Sequence, residues 1–328
     1  MSTIPPTLPL SERLEVGFIT SFDTAEAARE TAQFAEARGY DSIWVGDHVS
    51  FPMPTHDPLL LIAQAAAAST RLRFGTGVYL LPLRHPVLVA KQVTTLDHLC
   101  GGRFCFGVGI GGEFPGEYAS CGIPVEERGA RLSEAIPLLK RLFSGDTVTH
   151  EGRFFPIPET RLLPVPRQTG GPPIWCGGRS APALQRMGRM ADGWISYVVT
   201  PKRFREGLDA IARAAEVAQR EIDRFGTGHL LFARVDTDFA SALDAASEHL
   251  SQRYAMDFRD ATRRYAALGR PEDVAERIGE FREAGVRHIV LDCVGPWEDR
   301  VSQLERFASE VMPLLDSQRT SNTTPEAP

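Results

Sequence analysis

The chain has 328 residues, 43% of them hydrophobic and 24% charged, an ordinary globular composition with length for two average domains or one large α/β barrel. Its net charge of −6 comes from interleaved acids and bases, so no basic block offers itself to nucleic acid or to an anionic lipid surface. No apolar run approaches membrane-spanning length and the N-terminus lacks a signal-peptide pattern, while Cys100, Cys105, Cys121, Cys176 and Cys293 are scattered without CxxC spacing; the expected setting is therefore a reducing cytoplasm, with neither a disulfide framework nor structural zinc.

Leu14 to Thr20 reads as a first strand, and Asp23 and Glu26 have capping-box spacing before a helix whose Ala27, Thr31, Phe34 and Ala35 share a face. Ile43, Trp44 and Val45 form a second short strand, closed by Gly46 and followed by Asp47, His48 and the loop holding Phe51, Pro52, Met53 and Pro54. An alanine-rich helix runs from Asp57 to Ser69. A third strand, Leu72 to Leu80, is interrupted by Gly75 and Gly77, and a helix from Pro86 to Leu99 follows. Arg103 to Ile110 is the fourth strand, emptying into a loop from Gly111 to Glu117 before a helix from Glu126 to Phe143. Residues 145–173 are rich in Pro, Gly and aromatics and read as an irregular excursion with a small hairpin near Thr147 to Phe155.

Alternation resumes with a fifth strand at Ile174 to Cys176, then Gly177, Gly178, Arg179 and Ser180 at the start of a helix to Met190. Gly193 to Val199 is the sixth strand, Pro201 opens a long helix, and His229 to Val235 is the seventh strand. Helical stretches at Ala240 to Leu250 and Met256 to Ala267 come next. A further helix starts at Pro271 with Val274, Ile278 and Phe281 inward, then an eighth strand, His288 to Cys293, and a helix to about Leu315. Eight strands, each followed by helix, predict a (β/α)8 TIM barrel over residues 14–315, between a tail at 1–13 and a disordered tail at 316–328. The rival is a doubly wound sheet. The only glycine run like its dinucleotide fingerprint, Gly107 to Gly112, follows the fourth strand and opens into a Pro-containing loop rather than a helix.

In a barrel, catalytic groups sit on loops after the strands, which brings Asp47, His48, Gly77, Glu113, Gly177, Ser180 and Tyr197 to one rim. An acid beside an imidazole at a strand end can orient and transfer protons, although an isolated Asp-His pair also serves as a turn cap with a packed ring. Gly177 to Ser180 offers backbone N–H groups for an anion at a helix start, with Arg179 and Ser180 adding charge and a hydroxyl; the plain alternative is a glycine turn with Ser180 as N-cap. Gly75 to Val78 suggests a bulge or close approach of a ligand, or a barrel-corner kink. Glu113 is a candidate proton carrier or a solvated loop acid. No HxH, HExxH or carboxylate cluster at ligand spacing supports a metal hydrolase, so no metal is expected, and no GxSxG nucleophile elbow is present.

From Leu14 to Leu315 the chain resembles the luciferase-like monooxygenase superfamily. The resemblance is carried by Gly-Asp-His at 46–48, Gly-Thr-Gly-Val at 75–78, Arg-His-Pro at 84–86 and Gly-Arg-Phe at 102–104, then by Pro-Ile-Trp-Cys-Gly-Gly-Arg-Ser at 173–180, Ala-Asp-Gly-Trp at 191–194 and Pro-Glu-Asp-Val-Ala-Glu-Arg at 271–277. Members bind flavin mononucleotide or the deazaflavin coenzyme F420 in the rim cleft. The resemblance implies that Asp47 touches the cofactor, that His48 faces its reacting edge, and that a non-prolyl cis bond joins Gly77 and Val78 behind the ring. It also implies that Gly177, Gly178, Arg179, Ser180 and Ala181 hold the cofactor phosphate, and that Glu113 matches, with a one-residue offset, an acid of the deazaflavin dehydrogenases. Phe51 and Pro52 stand where those dehydrogenases carry a tryptophan, which argues against a sugar-phosphate substrate.

Asp-His at 47–48 leans to F420 and hydride transfer with a small organic substrate. The alternatives are a flavin mononucleotide monooxygenase served by NAD(P)H or a flavin reductase, and a non-catalytic flavin-binding protein. A homodimer is the expected assembly.

Overall fold

Eight parallel strands close on themselves in the computed structural model, which describes residues 7–51, 53–111 and 114–315. They are β1 (Glu15–Ile19), β2 (Ser42–Val45), β3 (Arg73–Thr76), β4 (Phe104–Gly109), β5 (Ile174–Gly177), β6 (Gly193–Tyr197), β7 (Gly226–Val235) and β8 (His288–Cys293). Each pairs with the next in chain order, and β8 lies between β7 and β1, with Leu230 opposite Val290 and Phe18 opposite Leu291. Closure makes this a (β/α)8 barrel and disposes of the doubly wound sheet, which has two edges. The predicted tail at 316–328, Pro52 and Glu113 lie outside the described residues.

Local chemistry shifted several elements from their expected bounds. The first helix, Ala25–Ala37, is capped by Thr24, whose Oγ1 accepts from Ala27 N at 3.1 Å, so the Asp23–Glu26 box is not used. Its buried residues are Ala28, Ala32 and Ala35. β3 stops at Thr76, the Gly77–Val78 bond is cis, and Tyr79–Leu80 then runs parallel to β4 as a separate short strand. The stretch read as a loop before Glu117 contains a short helix, Pro115–Ser120, because Pro115 presets its first turn. The excursion's hairpin pairs Val148–His150 with Ile157–Thr160, so its second strand lies beyond Phe155. β7 begins at Gly226, three residues before the expected start. Its last residues, Ala233 to Val235, pair with Ala267–Gly269, which shortens the predicted helix there to Arg259–Tyr265.

Two tryptophans fill the middle of the barrel. Trp44 and Trp175 pack with Ile195, Leu230 and Val290, their ring centroids 5.7 Å apart. Indoles this large fit because neighbouring inward positions are glycine: a Cβ on Gly75 would lie 2.5 Å from Trp44, and one on Gly193 2.6 Å from Trp175. Below this plug, at the N-terminal ends of the strands, is a polar layer. His288 Nε2 meets Ser42 Oγ at 2.7 Å and its Nδ1 meets Glu15 at 3.1 Å, beside a cavity of about 120 Å³ lined by Arg73 and Cys105 among others. Burial pushes the His288 imidazole down to about 3, so its ring is neutral and hydrogen-bonded in a base closed off from the opposite rim by the indoles.

Candidate active site

Inward-facing residues at the C-terminal ends of the strands divide the rim into two arcs. Along the neighbouring strands β2, β3, β4 and β5, the inward column ends in Gly46, Gly77, Gly109 and Gly177. Cβ atoms built on Gly46 and Gly77 would point at Ile19, and those on Gly109 and Gly177 at Val78. This arc is therefore a shelf of bare backbone with one side chain, Val78, standing in the hollow between Gly109 and Gly177. A Cβ on Gly109 would overlap Val78, and one on Gly177 would come within 3.2 Å of it. The cis bond immediately before Val78 and the two glycines opposite thus locate a single aliphatic bump on an otherwise flat surface.

The segment carrying that bump is anchored by Asp47. Its carboxylate accepts from Leu80 N at 2.8 Å and from both Nη atoms of Arg84, at 2.5 and 2.9 Å, a bidentate pair. Burial pushes the Asp47 carboxyl up, and the Arg84 guanidinium opposes that shift. Asp47 thus ties the loop after β2 to the segment after the cis bond. Expected as a cofactor contact, it has both oxygens committed to protein partners here.

His48, next in sequence, is the half-exposed member of the pair. Its Nδ1 lies 3.1 Å from both oxygens of Glu117, which is 1% exposed. The same carboxylate accepts from Val49 N at 2.8 Å and Ser50 N at 3.2 Å through Oε1. Phe51 stacks on the imidazole at 3.9 Å, and Phe114 stands edge-on to Phe51 at 4.6 Å. The acid that meets His48 is therefore Glu117, 69 residues away, and not its neighbour Asp47. Sequence reading passed Glu117 over in favour of Glu113. The available signal was Pro115, which starts a helical turn and places Glu117 and Tyr118 together on its buried side, both fully buried.

Beyond β5, the chain passes through Gly177, Gly178, Arg179 and Ser180 into the helix Ala181–Met190. Gly178 has φ +120°, a conformation that side chains resist, and a Cβ there would reach within 3.0 Å of Ala183. Its carbonyl accepts from Trp194 Nε1 at 2.8 Å. Ser180 stands at the N-cap position, yet its hydroxyl makes no capping bond, so simple capping does not account for it. Arg179 reaches the carbonyls of Tyr197 and Val198 at 3.2 and 3.3 Å, stapling this loop to the end of β6. Gly178 to Ala181 are exposed at the rim, with the helix's free N–H groups beside them.

The second arc, β6 to β8, ends inward in side chains: Tyr197, Phe232 and Asp292. The Tyr197 and Tyr254 hydroxyls are hydrogen-bonded to each other, and Tyr197 packs edge-on to Phe232 at 5.4 Å. Burial and the neighbouring Tyr254 hold the Tyr197 phenol well above its ordinary range, so it stays protonated. Asp292, 4% exposed, accepts from Arg253 Nη1 at 2.8 Å and raises that guanidinium further. Tyr254 stacks on Phe258 at 4.8 Å, so the helices Phe239–Tyr254 and Arg259–Tyr265 close this side. Among the described residues no group of His, Cys, Asp and Glu could hold a metal ion, and no helix is long and apolar enough to cross a membrane.

A closed parallel barrel with a bare backbone shelf, an exposed helix start and a carboxylate-held imidazole on one rim is the arrangement of a barrel enzyme, whose site gathers at the C-terminal ends of the strands. Residues 8–309 match the luciferase-like monooxygenase family, and the chain belongs to it. It is 30% identical over 315 residues to the F420-dependent glucose-6-phosphate dehydrogenase of Beutenbergia cavernae, covering 86% of this chain and 90% of that one. It is 36% identical over 176 residues to 4-hydroxyprotoasukamycin monooxygenase of Streptomyces nodosus subsp. asukaensis, covering 53% of this chain and 47% of the other. Its fold is that of a solved F420-dependent secondary alcohol dehydrogenase in complex with an F420-acetone adduct, with a TM-score of 0.81, 21% identity, and 92% and 99% of the two chains covered.

Proposed function

We propose that this protein is an F420-dependent oxidoreductase that moves a hydride between the deazaflavin and a small organic substrate bearing a hydroxyl or carbonyl group. The observation that carries the reading is the glycine shelf beside the exposed helix start. Gly46, Gly77, Gly109 and Gly177 remove side chains where a flat ring system needs backbone-level contact, and added Cβ atoms at Gly109 and Gly177 would fill the space held by Val78. Val78 would buttress the ring of the bound cofactor. Gly177, Gly178, Ser180 and Ala181 receive the cofactor phosphate through backbone N–H groups and the Ser180 hydroxyl, with Arg179 holding the loop in place. When bound, the deazaflavin supplies hydride acceptance or donation and no oxygen activation. His48 moves the substrate proton, and Glu113 is the second candidate for that work. Asp47 serves by holding the segment from Leu80 to Arg84.

Full-length similarity to an F420-dependent dehydrogenase supports this cofactor. Flavin mononucleotide, with NAD(P)H or a separate flavin reductase and oxygen insertion, is the second reading; the shorter match to 4-hydroxyprotoasukamycin monooxygenase favours it. We further read the protein as a cytoplasmic homodimer. Its five cysteines are unpaired, and Leu60 and Leu88 are 71% and 66% exposed on the helices Pro58–Ala66 and Pro86–Leu99, which pack together. Calorimetric titration with F420 and with flavin mononucleotide tests the cofactor. Tighter F420 binding is expected, and tighter flavin mononucleotide binding replaces this reading with the monooxygenase.

A further inference from the structure

We infer that Glu117 is a positioning residue that locks the tautomer of His48, leaving Nε2 as the only ring atom able to take the substrate proton. The inference rests on the reading of His48 as proton carrier, but the lock itself follows from hydrogen-bond arithmetic within this chain. An ionised carboxylate only accepts. Glu117 Oε1 and Oε2 both lie 3.1 Å from Nδ1, so Nδ1 must carry the proton in the neutral ring. Nε2 then holds the lone pair. A neutral imidazole free in water is under no such constraint.

Glu117 cannot be reoriented to relax this arrangement. It is 1% exposed, and its Oε1 is held by the backbone amides of Val49 and Ser50, at 2.8 and 3.2 Å. Those two amides are donors with no alternative role, so whatever atom faces them must accept. The lock therefore spans two rim loops: the turn after β2, which carries His48, and the short helix Pro115–Ser120, which carries Glu117. Phe51 stacks on one face of the imidazole and Phe114 stands edge-on to it, at 3.9 and 6.0 Å, packing the ring in this orientation.

This geometry makes Glu117→Gln a release of the tautomer lock rather than a simple loss of charge. The amide oxygen of the new side chain must turn toward Val49 N and Ser50 N, because its NH2 cannot accept from them. The NH2 then takes the Oε2 position, 3.1 Å from Nδ1, where its donation competes with acceptance by the oxygen at the Oε1 position, so the ring loses its single favoured proton position and the Nε2–H form gains population. A ring protonated at Nε2 cannot accept the proton released when a hydroxyl substrate gives up hydride. The loss of that general-base step is worth about 100-fold or more in turnover.

The test is a two-bond 1H–15N spectrum of the full chain labelled with 15N-histidine, recorded where the ring signal is that of the neutral form. His48 is assigned by the signal that disappears in His48→Asn. The expected result is the Nδ1–H tautomer in the native protein and a clearly larger Nε2–H fraction in Glu117→Gln, with melting temperature within about 3 °C and F420 affinity within about twofold of native, and with turnover lower by up to about 100-fold. A native spectrum of the Nε2–H form overturns the lock, and so does a folded Glu117→Gln whose Nδ1–H fraction is unchanged from native. If Glu117→Gln does not fold, the native spectrum alone decides. The spectra need no cofactor and no substrate. A failure of the F420 reading would instead appear as missing cofactor binding in calorimetry, and a failure of the His48 role as undiminished turnover in His48→Ala.

Discussion

One half of the rim ends in backbone and the other in side chains. The inward columns of β2 to β5 finish at Gly46, Gly77, Gly109 and Gly177; those of β6 to β8 finish at Tyr197, Phe232 and Asp292. The bare half leaves backbone groups and one valine to meet a ligand, which suits a large flat molecule that is the same in every turnover. The clothed half presents phenols, a phenyl ring and a neutralised ion pair, which suits discrimination among small molecules. On the proposed reading, one barrel would separate holding from choosing, because adjacent strands contribute adjacent inward positions.

The largest effect strikes away from both arcs and tells the rim from the buried interior. His229 and His288 are buried and neutral, each pushed by burial from 6.5 to about 3. A depressed folded-state value means that the stability is intact above 6.5 and is lost as pH falls from there toward 3, since the unfolded chain takes up protons that the folded one refuses. The melting temperature should be flat from pH 8 to 7 and then fall steeply toward pH 4, with bound F420 shifting the curve without changing its shape. A flat profile down to pH 4 would show that these imidazoles ionise in place.

On the bare side, Asp47→Ala breaks the comparison at its support. Removing one partner of a buried ion pair strands Arg84, and the expected loss is about 3–5 kcal/mol in denaturant unfolding. Gly109→Val tests the shelf itself. The new side chain competes with Val78, and overpacking of about 1–3 kcal/mol should weaken F420 by roughly 10- to 100-fold in calorimetry. Gly178→Val adds backbone strain at φ +120° to any loss of phosphate contact, so a fall in melting temperature should accompany the weaker binding.

The smallest change belongs to the clothed side. Tyr197→Phe removes the bond to the Tyr254 hydroxyl and should cost about 1 kcal/mol of stability. F420 affinity should stay within about twofold, while the ranking of substrates by kcat/KM changes. If Tyr197→Phe instead weakens F420 as strongly as Gly109→Val, the division of labour between the arcs is wrong.

Strand-helix alternation was legible in the sequence because each barrel unit is local: short β-branched runs, glycine or proline punctuation and amphipathic helices lie within about thirty residues of one another. The motifs at 46–48, 75–78 and 177–180 were also readable, since glycine at a strand end is informative by itself. The partners of those motifs were not. Asp47 and His48 stand side by side in sequence, yet the fold sends one to Arg84 and the other to Glu117, 37 and 69 residues away. Gly109 and Gly177 become one pocket only because β4 and β5 are neighbours and Val78 projects between them. The sequence by itself determined the barrel and the strand ends where its chemistry gathers. Tertiary structure decided which acid meets His48 and which half of the rim is bare, because both depend on which segments the closed barrel brings side by side, and spacing along the chain does not encode that.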